Sequence, residues 1–170
     1  VSCHPYRDKT KQKGAHPINY TTQELCRSAL MLACMCILAQ ISIPLPFSPV
    51  PITLGMAGLH IAALLQRPGC CALTLGGYVL LGSIGLPVFA NFQGGLGILA
   101  GPTGGYLAAY IPAGVCASII VHKGRGSAGA KRYLRSLAAM VCSIVICYAL
   151  GSAWLAFSGR ISFGAALRLG

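Results

Sequence analysis

After Glu24 the chain contains no aspartate and no glutamate, and Asp8 is its one other acidic residue. Hydrophobic residues make up 55% of the 170 positions and charged residues 9%, whereas a soluble domain carries roughly 25% charged residues. Long apolar runs alternate with short segments that hold the lysines and arginines. The pattern predicts an all-α integral membrane helical bundle, with a basic cytoplasmic tail over residues 1–20 and one membrane-embedded domain over residues 21–170.

The apolar runs predict five helices. Thr21 and Glu24 have the spacing of a capping box and mark the start of the first helix. The predicted helices cover approximately residues 25–43, 52–65, 70–84, 104–121 and 134–157. The second and third are shorter than the roughly 20 residues that a full membrane span requires, so they have to borrow length from their flanking loops or lie in a thinned, protein-lined region.

The lysines and arginines are distributed unevenly among the segments that flank these helices. Eleven of the 13 lie at the N-terminal end, between the second and third helices, or between the fourth and fifth, and the other two are Arg160 and Arg168. By the positive-inside rule, this asymmetry predicts a multi-pass protein of the cell membrane with a cytoplasmic N-terminus. The uncharged segments 44–51 and 86–102 then lie on the external face. Because the net charge of +11 follows this topology, it indicates a lipid bilayer, and not nucleic acid, as the partner.

Residues 85–106 form a glycine-rich, uncharged stretch between two apolar runs. Glycine lets the backbone approach a neighbour or a ligand closely, and Asn91 and Gln93 are the amide side chains of this stretch. Amides in an apolar setting usually give a pocket its specificity, so we interpret the stretch as half of a ligand site. The proline-rich segment 44–51 is either a pre-ordered lid over that site or a rigid turn between helices.

Three further features have competing interpretations. Ala29 and Ala33 share one helix face, where small residues allow close contact either with a partner subunit or within the chain. His60 is interpreted as a packing or hydrogen-bonding residue, and an intramembrane serine hydrolase that uses His60 and Ser83 is the alternative function. The nine cysteines lack the C-x-x-C spacing of a metal site, so no metal or other cofactor is predicted.

Several strings together identify a family. They are residues 39–47, 50–54, 85–89, 94–95, 101–106 and 148–151, with Trp154. In these strings the chain resembles the biotin-specific substrate-binding component (S component, the BioY family) of energy-coupling-factor (ECF) transporters. The resemblance covers about residues 21–170, and the string Gly-Pro-Thr-Gly-Gly-Tyr after Gly-Leu-Pro-Val-Phe is specific to that family.

The resemblance implies a six-helix S-component fold, of which five helices are present here, and no enzymatic activity. It also implies that the chain captures biotin at its external face and delivers it inward with a coupling transmembrane subunit and two cytoplasmic ATPase subunits. Ala29 and Ala33 match the small-residue motif by which S components meet the coupling subunit. Family members continue into a sixth helix that begins with a Pro-Phe-x-Pro-Gly-Asp-x-x-Lys-like string, so we expect this sequence to be a truncation.

Biotin, as the implied ligand, assigns roles to residues of the two external segments. Its ureido group requires hydrogen-bonding amides, for which Gln93 is the best placed and Asn91 the next. Its ring requires apolar or aromatic walls, and Phe89 and Tyr106 are the candidates. The remaining predicted ligand-binding residues are Thr53, Gly94 and Gly95. The lysine of the family's sixth helix is expected to pair with the carboxylate.

Overall fold

The computed structural model describes residues 21–43, 52–123 and 129–159. Its helices are α1 (Thr22–Gln40), α2 (Gly55–Leu65), α3 (Pro68–Ser83), α4 (Leu96–Ala100), α5 (Gly104–His122) and α6 (Ala130–Gly159). By length and composition, three helical segments can cross a membrane: Thr22–Gln40, Gly104–His122 and Ala130–Phe157. The predicted membrane bundle is therefore confirmed. The basic tail and the proline-rich segment 44–51 lie outside the described residues.

A two-stranded hairpin replaces helix at two of the predicted helix ends. Strand β1 (Ser42–Ile43) pairs antiparallel with β2 (Ile52–Thr53), so that Ser42 lies opposite Thr53. The expectation that the first helix continues to Ile43 and that the second begins at Ile52 was therefore wrong. One physical reason is local, because a residue that precedes proline, as Ile43 does, is disfavoured in helical conformation. The short helix α4 was not predicted either.

Glycines allow the long helices to interdigitate. A Cβ at Gly105 of α5 would overlap the Trp154 side chain of α6, and a Cβ at Gly151 of α6 would overlap the Tyr106 ring of α5. The two helices thus exchange one large side chain each into a gap left by the other. This reciprocal packing makes Gly105 part of a close-packing face, which is typical of small residues in membrane helices.

The two ends of the bundle differ in character. The start of α1, the α2–α3 turn, the end of α5 and the start of α6 form what we call the basic end. There the buried Gln66 accepts a hydrogen bond from Thr74 Oγ1 on its side-chain oxygen (2.9 Å) and one from Ser118 Oγ on its carbonyl oxygen (2.7 Å). Glu24 and Arg67 form an ion pair of 3.3 Å beside this network. These polar contacts join α1, α3 and α5 through the turn at Gln66.

The opposite end is formed by the end of α1, the hairpin and the segment 84–103, and we call it the loop end. The Gln40 side chain of α1 donates to Pro87 O (3.0 Å), and the Trp154 indole of α6 donates to Gly101 O (3.0 Å). These contacts attach α1 and α6 to the glycine-rich segment, and the hairpin, which follows α1, lies at the same end of the bundle.

A candidate ligand site at the loop end

The segment 84–103 is uncharged and is folded onto the bundle by its own backbone. A 3-10 turn, Ala90–Phe92, reverses the chain, and the Phe89 N–H donates to Gln93 O (3.0 Å) across it. The Gly95 N–H donates to Gly82 O (2.6 Å) at the end of α3. The turn is therefore closed on itself and attached to α3.

Phe89 anchors this turn in the core. Its side chain is 2% exposed, and its ring occupies the place that a Cβ at Gly82 would take. The ring meets Tyr78 edge-on, with centroids 5.5 Å apart, and Tyr78 in turn stacks on Tyr110 at 6.5 Å. Phe89 thus begins a row of three aromatic rings that runs from the loop into the bundle.

Tyr106 lies between α5 and α6, where its ring packs on Gly151 and meets Tyr148 edge-on with centroids 6.2 Å apart. The residue is 8% exposed. Its hydroxyl group is buried and has no hydrogen-bond partner in the part of the chain that the structure describes. Because an unpaired buried hydroxyl is unfavourable, this group is a candidate to bind a polar atom of a ligand.

The two predicted amides lie at the surface of the loop. Asn91 and Gln93 are both exposed, and Asn91 adopts a left-handed conformation with φ 58°. The Asn91 side-chain oxygen accepts a hydrogen bond from Ser42 Oγ (2.7 Å). The amide nitrogen of Asn91 therefore stays as a donor, while its oxygen already has a partner.

Gly94 and Gly95 are required by the folding of the loop itself, in addition to the ligand-binding role predicted for them. A Cβ at Gly94 would overlap the carbonyl group of Leu86, and Gly95 has a φ of +101°, which favours glycine. The predicted close backbone approach is present, and its partner in this structure is the chain's own backbone.

Thr53 joins the site from the hairpin. A Cβ at Gly55 would lie 3.2 Å from Thr53 Oγ1 and 3.5 Å from the Tyr110 hydroxyl, so both hydroxyls reach the start of α2. The structure thus brings Thr53 to the aromatic row that Phe89 begins. It places Asn91 and Gln93 on the exposed side of the same loop and Tyr106 deeper, against α6.

Sequence reasoning missed three residues of this end. Tyr78 and Tyr110 continue the aromatic row, and Gln40 contacts the loop at two points. Tyr110 lies four residues after Tyr106 in a helix and so faces the same way, which is a signal that could have found it. Gln40 had no comparable signal, because its partners are 47 and 52 positions away in sequence.

The serine hydrolase alternative finds no support. His60 Nε2 lies 2.8 Å from Ser143 Oγ, so His60 is a buried hydrogen-bonding residue. The Ser83 hydroxyl donates to Val79 O (2.5 Å), within its own helix. The two residues are not paired, and an activated serine requires an adjacent base.

Ala29 and Ala33 are both exposed on α1. The buried side of this helix is formed by Ser28, Met35 and Ala39. Of the two interpretations that the sequence left open, contact within the chain is not seen in the described residues, and the alanine face is free to meet lipid or another protein.

Comparison with known proteins gives consistent matches. The sequence model of the BioY family matches residues 9–170. The chain is 38% identical over 129 residues to the biotin transporter BioY of Thermotoga maritima, covering 76% of this chain and 72% of the relative. It is 32% identical over 145 residues to the biotin transporter BioY2 of Lactococcus lactis, covering 84% and 74%. The fold is similar to the crystal structure of the S-component for biotin from an ECF-type ABC transporter, with a TM-score of 0.80 and 28% identity over 91% of this chain and 82% of that one.

Proposed function

The chain belongs to the BioY family, and from this premise we propose that it is the substrate-binding membrane subunit of a biotin uptake system. The proposal is supported by relatives that are named as biotin transporters and by the likeness to an S component for biotin. The function is therefore capture and delivery of a vitamin, without chemical conversion of it.

The observation that carries the proposal is the composition of the loop end. Biotin combines a flat thioether ring with a planar ureido group that both donates and accepts hydrogen bonds. The loop end offers exposed amides on Asn91 and Gln93 beside a row of aromatic rings that starts at Phe89. We assign Gln93 and Asn91 to the ureido group, and Phe89 and Tyr106 to the walls around the ring. Thr53, Gly94 and Gly95 complete the proposed set.

The orientation and the partners of the chain are part of the same proposal. Eleven of the 13 lysines and arginines lie in the N-terminal segment or the start of α1, in the α2–α3 turn, or between the end of α5 and the start of α6. This distribution supports a cytoplasmic basic end and an external loop end. The exposed Ala29 and Ala33 face is assigned to the transmembrane coupling subunit, since small residues allow close helix contact in lipid. ATPase subunits act on the chain through that contact.

Binding measurements test the proposal directly. The full-length protein in lipid nanodiscs is titrated with biotin and with lipoate, which keeps a sulfur-containing ring and a valeryl carboxylate but has no ureido group. Saturable biotin binding that lipoate does not compete for is expected. An absence of saturable biotin binding, or equal affinity for both compounds, would overturn the proposed function.

A further inference from the structure

Gln40 connects α1 to the glycine-rich loop by both ends of its amide group. Its nitrogen donates to Pro87 O at 3.0 Å. Its oxygen accepts the Phe92 N–H at 2.9 Å. Gln40 is the last residue of α1 and is half-buried. One side chain thus satisfies a backbone acceptor before the 3-10 turn and a backbone donor at the last residue of that turn.

The turn that Gln40 spans is conformationally unfavourable. Asn91 and Phe92 are consecutive residues with φ values of 58° and 56°. Asparagine tolerates this left-handed conformation better than most residues with a side chain, but phenylalanine rarely adopts it, and two such residues in succession are less common still. Phe92 is 72% exposed, so packing of its side chain does not hold the turn. The conformation is maintained by hydrogen bonds and by the buried Phe89 ring at the start of the turn.

Besides the bonds within the turn, the last residue of α1 and strand β1 supply hydrogen bonds to it. The Ser42 hydroxyl donates to Asn91 Oδ1 at 2.7 Å, two residues after Gln40. Gln40 fixes the backbone on both sides of Asn91, and Ser42 fixes the Asn91 side chain itself. The proposed ureido-binding amides, Asn91 and Gln93, therefore lie in or beside a turn whose shape α1 and β1 help to fix.

We propose that Gln40 is a positioning residue, which holds the turn at residues 87–92 in its ligand-binding shape before biotin arrives. The inference rests on the proposed function, because the ligand is biotin. Gln40 raises the fraction of molecules in which the loop has its ligand-binding shape, and it does not contact the ligand. Apparent affinity falls in proportion to the fraction of molecules in the competent state, so loss of Gln40 lowers the rate of association and leaves the dissociation rate nearly unchanged.

Two substitutions separate the bonds of Gln40. Gln40→Met has a similar length and removes both hydrogen bonds, whereas Gln40→Glu keeps an acceptor for the Phe92 N–H and loses the donor to Pro87 O. Gln23→Met is the matched control, since Gln23 lies in the first turn of the same helix and is exposed. The readouts are amide hydrogen exchange at Phe92 without ligand, and the rates of biotin association and dissociation in nanodiscs.

For Gln40→Met we expect exchange at Phe92 and the dissociation constant for biotin both to rise by roughly ten- to a hundredfold, the combined effect of two lost hydrogen bonds. The change should be in the association rate. For Gln40→Glu, protection at Phe92 should be largely retained, and biotin affinity should lie between those of wild type and Gln40→Met. Gln23→Met should match wild type in every readout.

Three results would overturn the inference. They are wild-type association kinetics in Gln40→Met, equal effects of Gln40→Met and Gln23→Met, or a change confined to the dissociation rate, which would mean direct contact with the ligand. If Gln40→Met does not fold, Gln40→Glu decides the question, because it loses the donor to Pro87 O and should still slow association. If the wild-type protein fails to bind biotin, the proposed function is wrong. The role of Gln40 in holding the turn is then still tested by amide exchange at Phe92.

Discussion

Burial divides the residues of the loop end into two groups with different physical roles. Phe89 and Tyr106 are nearly inaccessible to solvent, so they contribute packing and shape. Asn91 and Gln93 are exposed, and their amide groups are available to an incoming ligand. The Asn91 oxygen is already held by Ser42, which makes Gln93 the amide best able both to donate to a ureido group and to accept from it.

Gln93→Ala is expected to weaken biotin binding. An amide that hydrogen-bonds a ligand contributes about 1–3 kcal/mol, or roughly ten- to a hundredfold in the dissociation constant. Binding of lipoate should be much less affected, because lipoate has no ureido group for Gln93 to contact. The measurement is calorimetric titration of both compounds, with Gln23→Ala as the control. Equal loss for the two compounds would show that Gln93 shapes the loop and does not contact the ureido group.

The elements of the fold were predictable to different degrees, for physical reasons. The apolar runs and their lengths located five helices, because membrane helices satisfy their backbone hydrogen bonds locally. The β1–β2 hairpin and the attachment of Gln40 to residues 87–92 depend on partners far apart in sequence, so no local pattern indicated them. The aromatic row of Tyr78 and Tyr110 was missed because each tyrosine, taken alone, looks like any core residue of a helix.

Gly82→Ala tests the attachment of the loop to α3. A Cβ at this position would overlap the Phe89 ring, whereas a Cβ at Gly76 of the same helix meets no atom within 4 Å. We expect Gly82→Ala to cost about 1–3 kcal/mol of stability, as overpacking does, and to loosen the loop. Gly76→Ala should be neutral or stabilising by up to about 1 kcal/mol. Thermal unfolding in nanodiscs measures both, and equal stability of the two variants would contradict this packing.

At the scale of the whole molecule, α1 is attached to its neighbours by polar groups at both ends. Thr74 lies 3.3 Å from Ser28 O at the basic end, and Gln40 and Ser42 contact the loop at the other end. Between these attachments, α1 exposes Ala29 and Ala33. A change in the position of α1 would therefore also move the loop that we assign to biotin binding.

The proposed orientation of the molecule is tested by labelling. With other reactive cysteines removed, a membrane-impermeant thiol reagent applied from outside should label a cysteine introduced by Ser48→Cys. It should miss the one introduced by Ser127→Cys unless the membrane is permeabilised. This result follows from the excess of lysine and arginine around Ser127 and their absence around Ser48. The reverse labelling pattern would contradict both the orientation and the external site.

The exposed Ala29 and Ala33 face of α1 is the proposed contact with the coupling subunit. Replacing Ala29 and Ala33 together by leucine should abolish uptake of radiolabelled biotin in cells that contain the coupling and ATPase subunits, because bulk on a close-packed face prevents helix contact. Biotin binding to the purified variant should stay at the wild-type level, since both alanines are exposed. The control is the pair Ala108→Leu and Ala138→Leu, two exposed alanines on α5 and α6, which should leave uptake intact. Loss of binding in the Ala29 and Ala33 variant would mean that this face packs within the protein, and normal uptake would mean that the coupling subunit docks elsewhere.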